Sequence, residues 1–185
     1  MKYMKKFAFL MILAVGLSSC SLFNVDVDTE ISGVLDAYVP EAMAKATEDW
    51  HPLAATKEID ARENDDVQEY ADNIEDIVVN EITATVTEVS HEGIILSANT
   101  VFYLTYGSKT VTWSKGVEWP IYEGASFTFD NLGSSYDDAS KIILDAAKTK
   151  DESIVTIGVD GQSSKDGINV KMKIVFGTTF TANIF

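Results

Sequence analysis

Two stretches of the chain alternate apolar and polar residues, which is the pattern of a strand with one buried face. The stretch VNEITATVTEV places Ile82, Ala84 and Val86 on one face and threonines on the other. The stretch INVKMKIVF, which begins at Ile168, directs its apolar residues inward and its two lysines outward. We therefore predict a strand in each stretch, and the second continues past Gly177 with a kink at that glycine.

Shorter segments of the same kind follow one another between those two strands. Turns that contain GS, KG and EG separate the first four, and such turns join neighbouring antiparallel strands. Short strands at this spacing are typical of an antiparallel β-sandwich or a barrel. The predicted strands are TVFYLTY, KTVTWS, VEWPIY and ASFTFD, followed later by SIVTIGV.

Two segments break the alternation and predict short helices. In the first, NDDVQEYADNIEDI, Asn64 is a suitable N-cap, and acidic residues follow in the first turn, where the helix dipole favours them. The apolar residues Val67, Tyr70, Ile74 and Ile77 form one stripe along this predicted helix.

The second helical segment, SSYDDASKIILDAAKTK, repeats that arrangement. Ser134 or Ser135 caps its start, acidic residues follow early, and lysines lie at its end. Ile142, Ile143 and Ala146 form its packing face. The predicted fold class is therefore mainly β: an antiparallel β-sandwich, or a barrel-like domain, with two short covering helices.

One segment between the predicted elements allows two interpretations. From Asp36 to Leu53, Pro40 is well suited to begin a helix that runs through Met43 and Trp50. The same residues also fit a loop, and the sequence does not decide between the two.

The junction between the first predicted helix and the next strand carries a resemblance. Tyr70 and Ile74 lie four residues apart in this helix, which leads directly into a threonine-rich strand. This arrangement, over residues 55–90, is similar to that of small lipoproteins of the Bacteroidetes type. The resemblance implies a β-sandwich ectodomain without an assigned activity.

The first twenty residues have the organisation of a secretory signal. Three lysines precede a short apolar segment, residues 7–16. A helix of about ten residues extends only about half-way across a hydrocarbon core, so cleavage is favoured over a permanent anchor. Leu17, Ser18 and Ser19 then lead into Cys20, the only cysteine of the chain, and this sequence resembles the lipobox of bacterial lipoproteins.

The lipobox resemblance implies that the chain is cut before Cys20 and that the cysteine thiol carries a diacylglycerol. Residues 1–19 are then a signal peptide, and residues 20–185 form a single β-rich domain with 20–23 as a short lipid tether. The alternative is a chance cysteine behind an uncleaved signal. Ser21 is not acidic, which by the same resemblance implies the outer membrane and leaves the periplasmic or surface face open.

The mature chain is strongly acidic. Removal of the signal takes three of the 14 basic residues and none of the 29 acidic ones, so the formal charge changes from −15 to −18. Such a surface repels phosphate backbones, and we expect no nucleic-acid partner. The remaining chain suffices for one domain with a real core. With its only cysteine lipidated, that core has no disulfide to support it.

The chain lacks the motifs of common catalytic sites. No P-loop, dinucleotide-binding glycine pattern, nucleophile elbow or HExxH motif occurs in the sequence. The two histidines, His51 and His91, have no sequence neighbours that complete a metal pair or a nucleophile–base pair, and we expect both in loops or turns. We predict no catalytic residue, no metal site and no cofactor.

Three acidic groups raise the question of calcium, which takes about six to eight oxygen ligands. None of them has the spacing of an EF-hand loop. We interpret them as a solvated strand face, the capped start of a helix and an Asp-Gly hairpin. The three groups are Asp26, Asp28 and Glu30; the segment DARENDD; and the segment DGQSSKDG with Asp160 and Asp166.

Two tryptophans are the remaining candidates for a ligand-binding site. Trp113 and Trp119 flank a tight SKG turn on neighbouring predicted strands. Indoles that point outward would form a stacking platform for sugar rings, whereas indoles that point inward would belong to the core. Both share the strand parity of Val111, Val117 and Ile121, which favours the core.

Three tyrosines and a proline belong to the same region. Tyr103, Tyr106 and Tyr122 lie close to the tryptophans in sequence. Pro120 has no N–H to donate to a neighbouring strand, so its own strand lies at a sheet edge or ends there.

These features together predict a non-catalytic lipoprotein of the bacterial cell envelope that acts as a binding, adhesion or assembly module. The alternative is a carbohydrate-binding accessory lipoprotein that uses Trp113 and Trp119 for stacking. A small hydrolase is the third candidate, and it requires a deep pocket that gathers His91 with carboxylates. The expected partners are the membrane, through the N-terminal lipid, and a glycan or an envelope protein.

Overall fold

Strands make up most of the computed structural model, which describes residues 24–41, 50–131, 134–150 and 152–183. The strand pairs are antiparallel, and they form two sheets that pack face to face. The predicted fold class, a mainly β antiparallel sandwich, is confirmed. In chain order the described elements are β1 (Asn24–Val39), β2 (His51–Asp60), α1 (Asp65–Tyr70), β3 (Ile74–Val89), β4 (Ile94–Leu96), β5 (Val101–Tyr106), β6 (Lys109–Ser114), β7 (Trp119–Ile121), β8 (Ser126–Thr128), α2 (Ser135–Lys148), β9 (Ile154–Ser163) and β10 (Ile168–Asn183).

The first sheet has four strands in the order β1–β10–β3–β8. Three of these strands, β1, β3 and β10, are 16 residues long. Along the whole of β10, buried residues alternate with partly exposed ones, because every second side chain faces the second sheet. The residues of β10 that were predicted to point inward are all buried: Ile168, Val170, Met172, Ile174 and Phe176.

Three register shifts interrupt the pairing of β3 with β10. At each shift, two consecutive residues of β3 are exposed where strict alternation allows one. A bulge of this kind inserts one extra residue, bends the strand and displaces the alternation by one position. One shift lies next to Gly177, where the sequence predicted a kink. The exposed pairs on β3 are Glu75 and Asp76, Asn80 and Glu81, and Thr87 and Glu88.

The second sheet has six strands, with β6–β5–β9–β4–β7 in order and β2 paired to β9. β9 lies centrally, because β2 pairs with one of its sides while β5 and β4 pair with the other. β7, which carries Pro120, pairs with β4 at the end of this order, so the predicted edge position is confirmed. The predicted hairpin between Asp160 and Asp166 is wrong, because β9 belongs to this sheet and β10 to the first.

Aromatic side chains fill the space between the two sheets. The ring of Trp113 lies 6.0 Å from that of Phe176 in β10, and the ring of Trp119 lies 6.1 Å from that of Phe127 in β8. The exposed fractions of the two tryptophans are 6% and 5%. Both therefore belong to the core, as their strand parity favoured. Val117 does not share this pattern, since it lies in a bend and is exposed.

The first helix, α1, is shorter than the sequence predicted. Asn64 caps it as expected, because its side-chain oxygen accepts hydrogen bonds from two backbone N–H groups of the first turn. The helix ends at Tyr70, whereas Ile74 and Ile77 lie in β3 and are buried there. The bulge between these two isoleucines separates them by three residues, which is the spacing of a helical stripe.

The second helix, α2, forms over the predicted segment and covers the edge of β3 that the short strand β8 leaves unpaired. Ser134 occupies its N-cap position, but its hydroxyl donates to the Asp138 carboxylate and makes no capping hydrogen bond. Its predicted apolar residues are buried. The Ser140 hydroxyl accepts a hydrogen bond from the N–H of Val79 at 2.8 Å, and the Tyr136 hydroxyl accepts one from the N–H of Ile82 at 3.3 Å. These side chains satisfy backbone donors of a strand edge, which would otherwise be open to another chain.

The segment that the sequence left undecided is a strand at both of its ends. Residues 36–39 complete β1, residues 51–53 begin β2, and residues 42–49 lie outside the described residues. The expectation of a loop at His51 is wrong, because this residue begins β2. Cys20, the signal segment and the tether also lie outside the described residues. Neither of the two described helices has the length and hydrophobicity that a bilayer span requires.

Candidate functional site

An open groove of about 840 Å³ lies on the outer face of the second sheet. Its floor consists of side chains of β5, β6 and β9 that point away from the core, because alternate residues of a strand face opposite sides. The turn before β5 and the beginning of β2 complete its walls. This polar groove is lined by Pro52, Ser97, Asn99, Val101, Tyr103, Thr105, Thr110, Thr112, Asp160, Gly161 and Gln162.

The ring of Tyr103 lies directly over Gly158 of the neighbouring strand β9. These two residues are cross-strand partners, and a Cβ atom added at Gly158 would lie 2.2 Å from Cζ and 2.4 Å from the hydroxyl oxygen of Tyr103. No side chain other than hydrogen fits at this position while the ring stays in place. A glycine inside a strand often marks such a close approach. One side of the tyrosine ring is thus supported by the sheet, while the residue also borders the groove.

Four polar side chains of the groove make no hydrogen bond to any other described residue: Asn99, Thr112, Asp160 and Gln162. All four residues are exposed. Two amides, one hydroxyl and one carboxylate offer both donors and acceptors. Thr112 lies on β6 directly opposite Tyr103, so the free groups come within reach of the ring.

Backbone hydrogen bonds hold the wall of the groove in place. The N–H of Ser97 donates to the carbonyl of Gln162 at 2.9 Å, and the N–H of Thr100 donates to the carbonyl of Ser97 at 3.0 Å. The side chain of Thr100 covers Gly161, where an added Cβ would lie 2.4 Å from its hydroxyl oxygen. The turn that carries Asn99 is therefore fixed to β9.

The electrostatics of the polar groove disfavour anions. Among the described residues that line it, Asp160 is the only charged one, and neither lysine nor arginine is present. The chain as a whole has a formal charge of −15. A negative group would therefore approach against the field of the protein and would find no cation in the groove.

The histidines do not line this groove. His91 lies in the turn after β3, as predicted, and its Nδ1 atom shares a hydrogen bond of 2.9 Å with the hydroxyl of Ser90. The same hydroxyl accepts a hydrogen bond from the N–H of Asn169, so it connects this turn to β10. Within the described ranges, no group of three or more His, Cys, Asp and Glu side chains is placed to hold a metal ion.

The structure corrects the alternative in which Trp113 and Trp119 form a stacking platform. Both indoles lie between the sheets, where no sugar ring has access to their faces. Lys115 covers the end of this cluster, with its Nζ atom 5.5 Å from the ring centre of Trp119. Tyr103, on the strand next to that of Trp113, is the aromatic residue that faces the polar groove.

The acidic groups that raised the question of calcium occupy different settings. On the outer face of the first sheet, Asp26 accepts a hydrogen bond from Thr181 at 2.7 Å and Asp28 accepts one from Thr179 at 2.6 Å. The segment DARENDD forms the turn before α1 and the beginning of that helix. Asp160 lies in β9 and lines the polar groove.

Shifted pKa values mark contacts that connect elements of the fold. Side-chain hydrogen bonds from Lys150 and then Arg62 hold the pKa of Asp72 below its usual range. Burial raises the pKa of Tyr136, whose hydroxyl donates to the carbonyl of Phe129 at 2.5 Å. The first contact ties the end of α2 to the loop before β3, and the second ties the beginning of α2 to the chain after β8.

The polar groove was not predicted from the sequence, although two features of the sequence relate to it. Tyr103 lies between buried residues at 102 and 104, so the alternation of β5 already directs it outward. Gly158 interrupts an otherwise β-branched segment of β9. Neither feature indicates that the two residues are neighbours.

Comparison with known proteins adds nothing to this geometry. No protein-family model, no curated protein and no solved structure matches the chain.

Proposed function

We propose that this chain is a lipoprotein of the bacterial cell envelope and acts, without catalysis, as a binding module whose ligand occupies the polar groove. The observation that carries the proposal is the set of exposed polar side chains around Tyr103 that have no partner among the described residues. Adhesion and assembly are included, because both need a surface whose polar groups are free to pair with a partner.

The lipid anchor is proposed at Cys20, with the outer membrane as its location. The lipobox-like residues before this cysteine support lipidation, and the uncharged Ser21 supports export from the inner membrane. Because β1 begins at Asn24, only residues 21–23 separate the lipid from the domain. Three residues reach at most about 10 Å, so the domain would lie close to the bilayer.

A non-catalytic role fits the chemistry of the polar groove. Its lining contains hydroxyls, amides, one carboxylate and one aromatic ring, and its described part contains neither histidine nor cysteine. Such groups bind a ligand through hydrogen bonds and ring contact. They do not include the nucleophile–base pair that covalent catalysis requires.

The anchor is tested by mass spectrometry of the N-terminal peptide after expression of the full chain in a Gram-negative host. We expect an acylated Cys20 at the mature N-terminus and recovery of the protein with membranes, since two or three acyl chains anchor a protein stably. Cys20→Ser should abolish acylation and membrane retention. An unmodified cysteine, or a mature N-terminus elsewhere, would contradict the anchor.

The groove is tested by hydroxyl-radical footprinting in envelopes of the bacterium that encodes the chain. We expect oxidation of Tyr103 to be at least threefold slower in envelopes than in protein washed free of ligand in detergent. Tyr122 is 62% exposed and lies outside the groove, so its rate should not change. Equal rates at Tyr103 in the two samples would show that no ligand covers the groove.

A carbohydrate-binding accessory role is the second candidate, and one observation favours it. The aromatic ring of Tyr103 borders the groove among polar side chains, whereas the tryptophans first considered for this role are buried.

A further inference from the structure

We propose that the ligand of the polar groove is a neutral glycan and that Tyr103 stacks against one of its sugar rings. This inference rests on the proposed function, because it names the ligand class of the same groove. Three properties of the groove lead to it: the support of the ring, the kind of polar groups around it and the absence of cations from the described part of its lining.

The first property is the support of the ring by the sheet. Gly158 lets the tyrosine lie against the backbone of β9, where even one added methyl group would collide with it. The face of an aromatic ring carries negative partial charge and attracts the weakly positive C–H groups on the face of a pyranose. A ring that already lies against the sheet has less conformational freedom to lose on binding than one surrounded by solvent.

The second property is the chemistry of the free polar groups. A sugar presents hydroxyls that both donate and accept hydrogen bonds, at several positions around one ring. Asn99 and Gln162 also donate and accept, Thr112 does the same through its hydroxyl, and Asp160 accepts. Because none of the four is bonded to another described residue, a ligand that pairs with these four groups breaks no hydrogen bond between described side chains.

The third property is charge, which separates neutral from acidic glycans. An acidic sugar needs a cation to offset the desolvation of its carboxylate or sulfate. The described lining contains a carboxylate, Asp160, and no lysine or arginine. Acidic polysaccharides are therefore repelled, while neutral ones carry no charge for the groove to repel.

The size of the groove fits an oligosaccharide segment. Its volume of about 840 Å³ lies near the upper end of the range of small-molecule sites, which is about 300–1,000 Å³. The groove is open, so a chain of sugars is able to enter from the side and to continue beyond it.

The test is calorimetric titration of the detergent-purified full chain with neutral hexasaccharides of glucose, mannose, galactose and xylose, and with hexagalacturonate as the acidic probe. We expect at least one neutral hexasaccharide to bind, and hexagalacturonate to bind at least tenfold more weakly. Absence of binding by every neutral hexasaccharide, or tighter binding of the acidic one, would overturn the inference.

Variants at Tyr103 test the stacking contact. Tyr103→Leu removes the aromatic face and should weaken binding at least tenfold, whereas Tyr103→Phe keeps the face and should remain within threefold. Tyr122→Leu is the matched control, because that tyrosine is exposed outside the groove and should not affect binding. Equal affinity of Tyr103→Leu and the unchanged protein would contradict stacking.

A second variant keeps the test decisive if Tyr103→Leu fails to fold. Asp160→Ala removes an exposed groove side chain without a described partner, so it should fold normally and weaken binding at least fivefold. Unchanged affinity in this variant would place the glycan outside the groove.

The experiments separate this inference from the function on which it rests. Protection of Tyr103 in envelopes together with failure of every neutral hexasaccharide retains the binding module and rejects the glycan. Glycan binding together with an unmodified Cys20 retains the glycan and rejects the lipid anchor.

Discussion

The outer faces of the two sheets both carry many polar side chains, yet the two faces use these groups differently. On the first sheet, neighbouring strands are linked through their side chains. Thr179 donates to Asp28 on β1 and accepts from Asn80 on β3, and Lys171 forms an ion pair with Glu88 at 2.6 Å. On the second sheet, the groove contains one such link between strands, the pair of Thr105 and Thr110 hydroxyls at 3.0 Å.

This difference distinguishes a structural surface from a binding surface. Polar groups that already pair with one another contribute to stability, and a ligand would have to break those pairs before it could bind. Polar groups that are hydrogen-bonded only to water exchange that water for a ligand at a lower cost in free energy. The polar groups on the outer face of the first sheet are therefore largely paired with one another, whereas those of the polar groove are available to a ligand.

The assignment of the outer faces requires that the opposite side of each sheet forms the core. A substitution at Ile174 tests this assignment. Ile174→Asp should lower the free energy of unfolding by about 4 kcal/mol or more, because it buries a charge without a partner. Ile174 is 4% exposed, whereas its neighbour Val175 points to the outer face of the first sheet. In urea denaturation, Val175→Asp should lower the free energy of unfolding far less. Equal losses in the two variants would contradict the assignment of Ile174 to the core and of Val175 to the outer face.

Two glycines, one on each outer face, sharpen the comparison. Gly158→Ala should lower the free energy of unfolding by about 1–3 kcal/mol, because the new methyl group collides with the Tyr103 ring and displaces it from its place on the sheet. Gly177→Ala on the first sheet should be neutral or stabilising, since an added Cβ would meet nothing closer than 3.7 Å. Neither glycine has a positive φ angle, so the difference is steric.

The double variant isolates the contact between the glycine and the ring. In a Tyr103→Ala background the cost of Gly158→Ala should disappear, and urea unfolding of the four variants measures this coupling. A cost that persists without the ring would place its cause elsewhere.

Substitution of one threonine on each outer face compares how much the polar groups of the two faces contribute to stability. Thr179→Val should lower the free energy of unfolding by about 1 kcal/mol, because it removes two hydrogen bonds on the first sheet. Thr112→Val should stay within about 0.5 kcal/mol, because this groove threonine has no described partner to lose. Chemical denaturation of both variants measures the difference, and an equal loss in Thr112→Val would mean that the groove is also a structural surface.

The ion pair between Lys171 and Glu88 on the first sheet makes a smaller, pH-dependent contribution to the free energy of unfolding. A hydrogen bond to Glu88, and then its charge, raise the pKa of Lys171 above 10.5. Because the raised value belongs to the folded state, this contribution is complete below the unfolded pKa and disappears as the pH rises through the folded one. NMR titration of Lys171 should show a lower pKa in Glu88→Gln, and an identical value would exclude this pairing in solution.

Periodicity in the sequence predicted an element well where one side of that element faces the core without interruption. β10 alternates over its whole length, and α2 carries a continuous apolar stripe, so both were identified. The prediction of α1 extended too far, because a bulge in β3 places Ile74 and Ile77 at helical spacing. The pattern of a bulged strand and the pattern of a helix coincide over so short a distance.

By itself, the sequence determined the sheet class, the inward residues of its regular elements, the acidic charge and the lipobox-like segment on which the proposed anchor rests. Only the tertiary structure decided which outward residues become neighbours. Tyr103, Thr112, Gly158 and Asp160 come from three strands, and strand order and register depend on pairing between distant parts of the chain. Side-chain alternation shows that a residue faces outward, but it does not contain the identity of the residue beside it on the next strand.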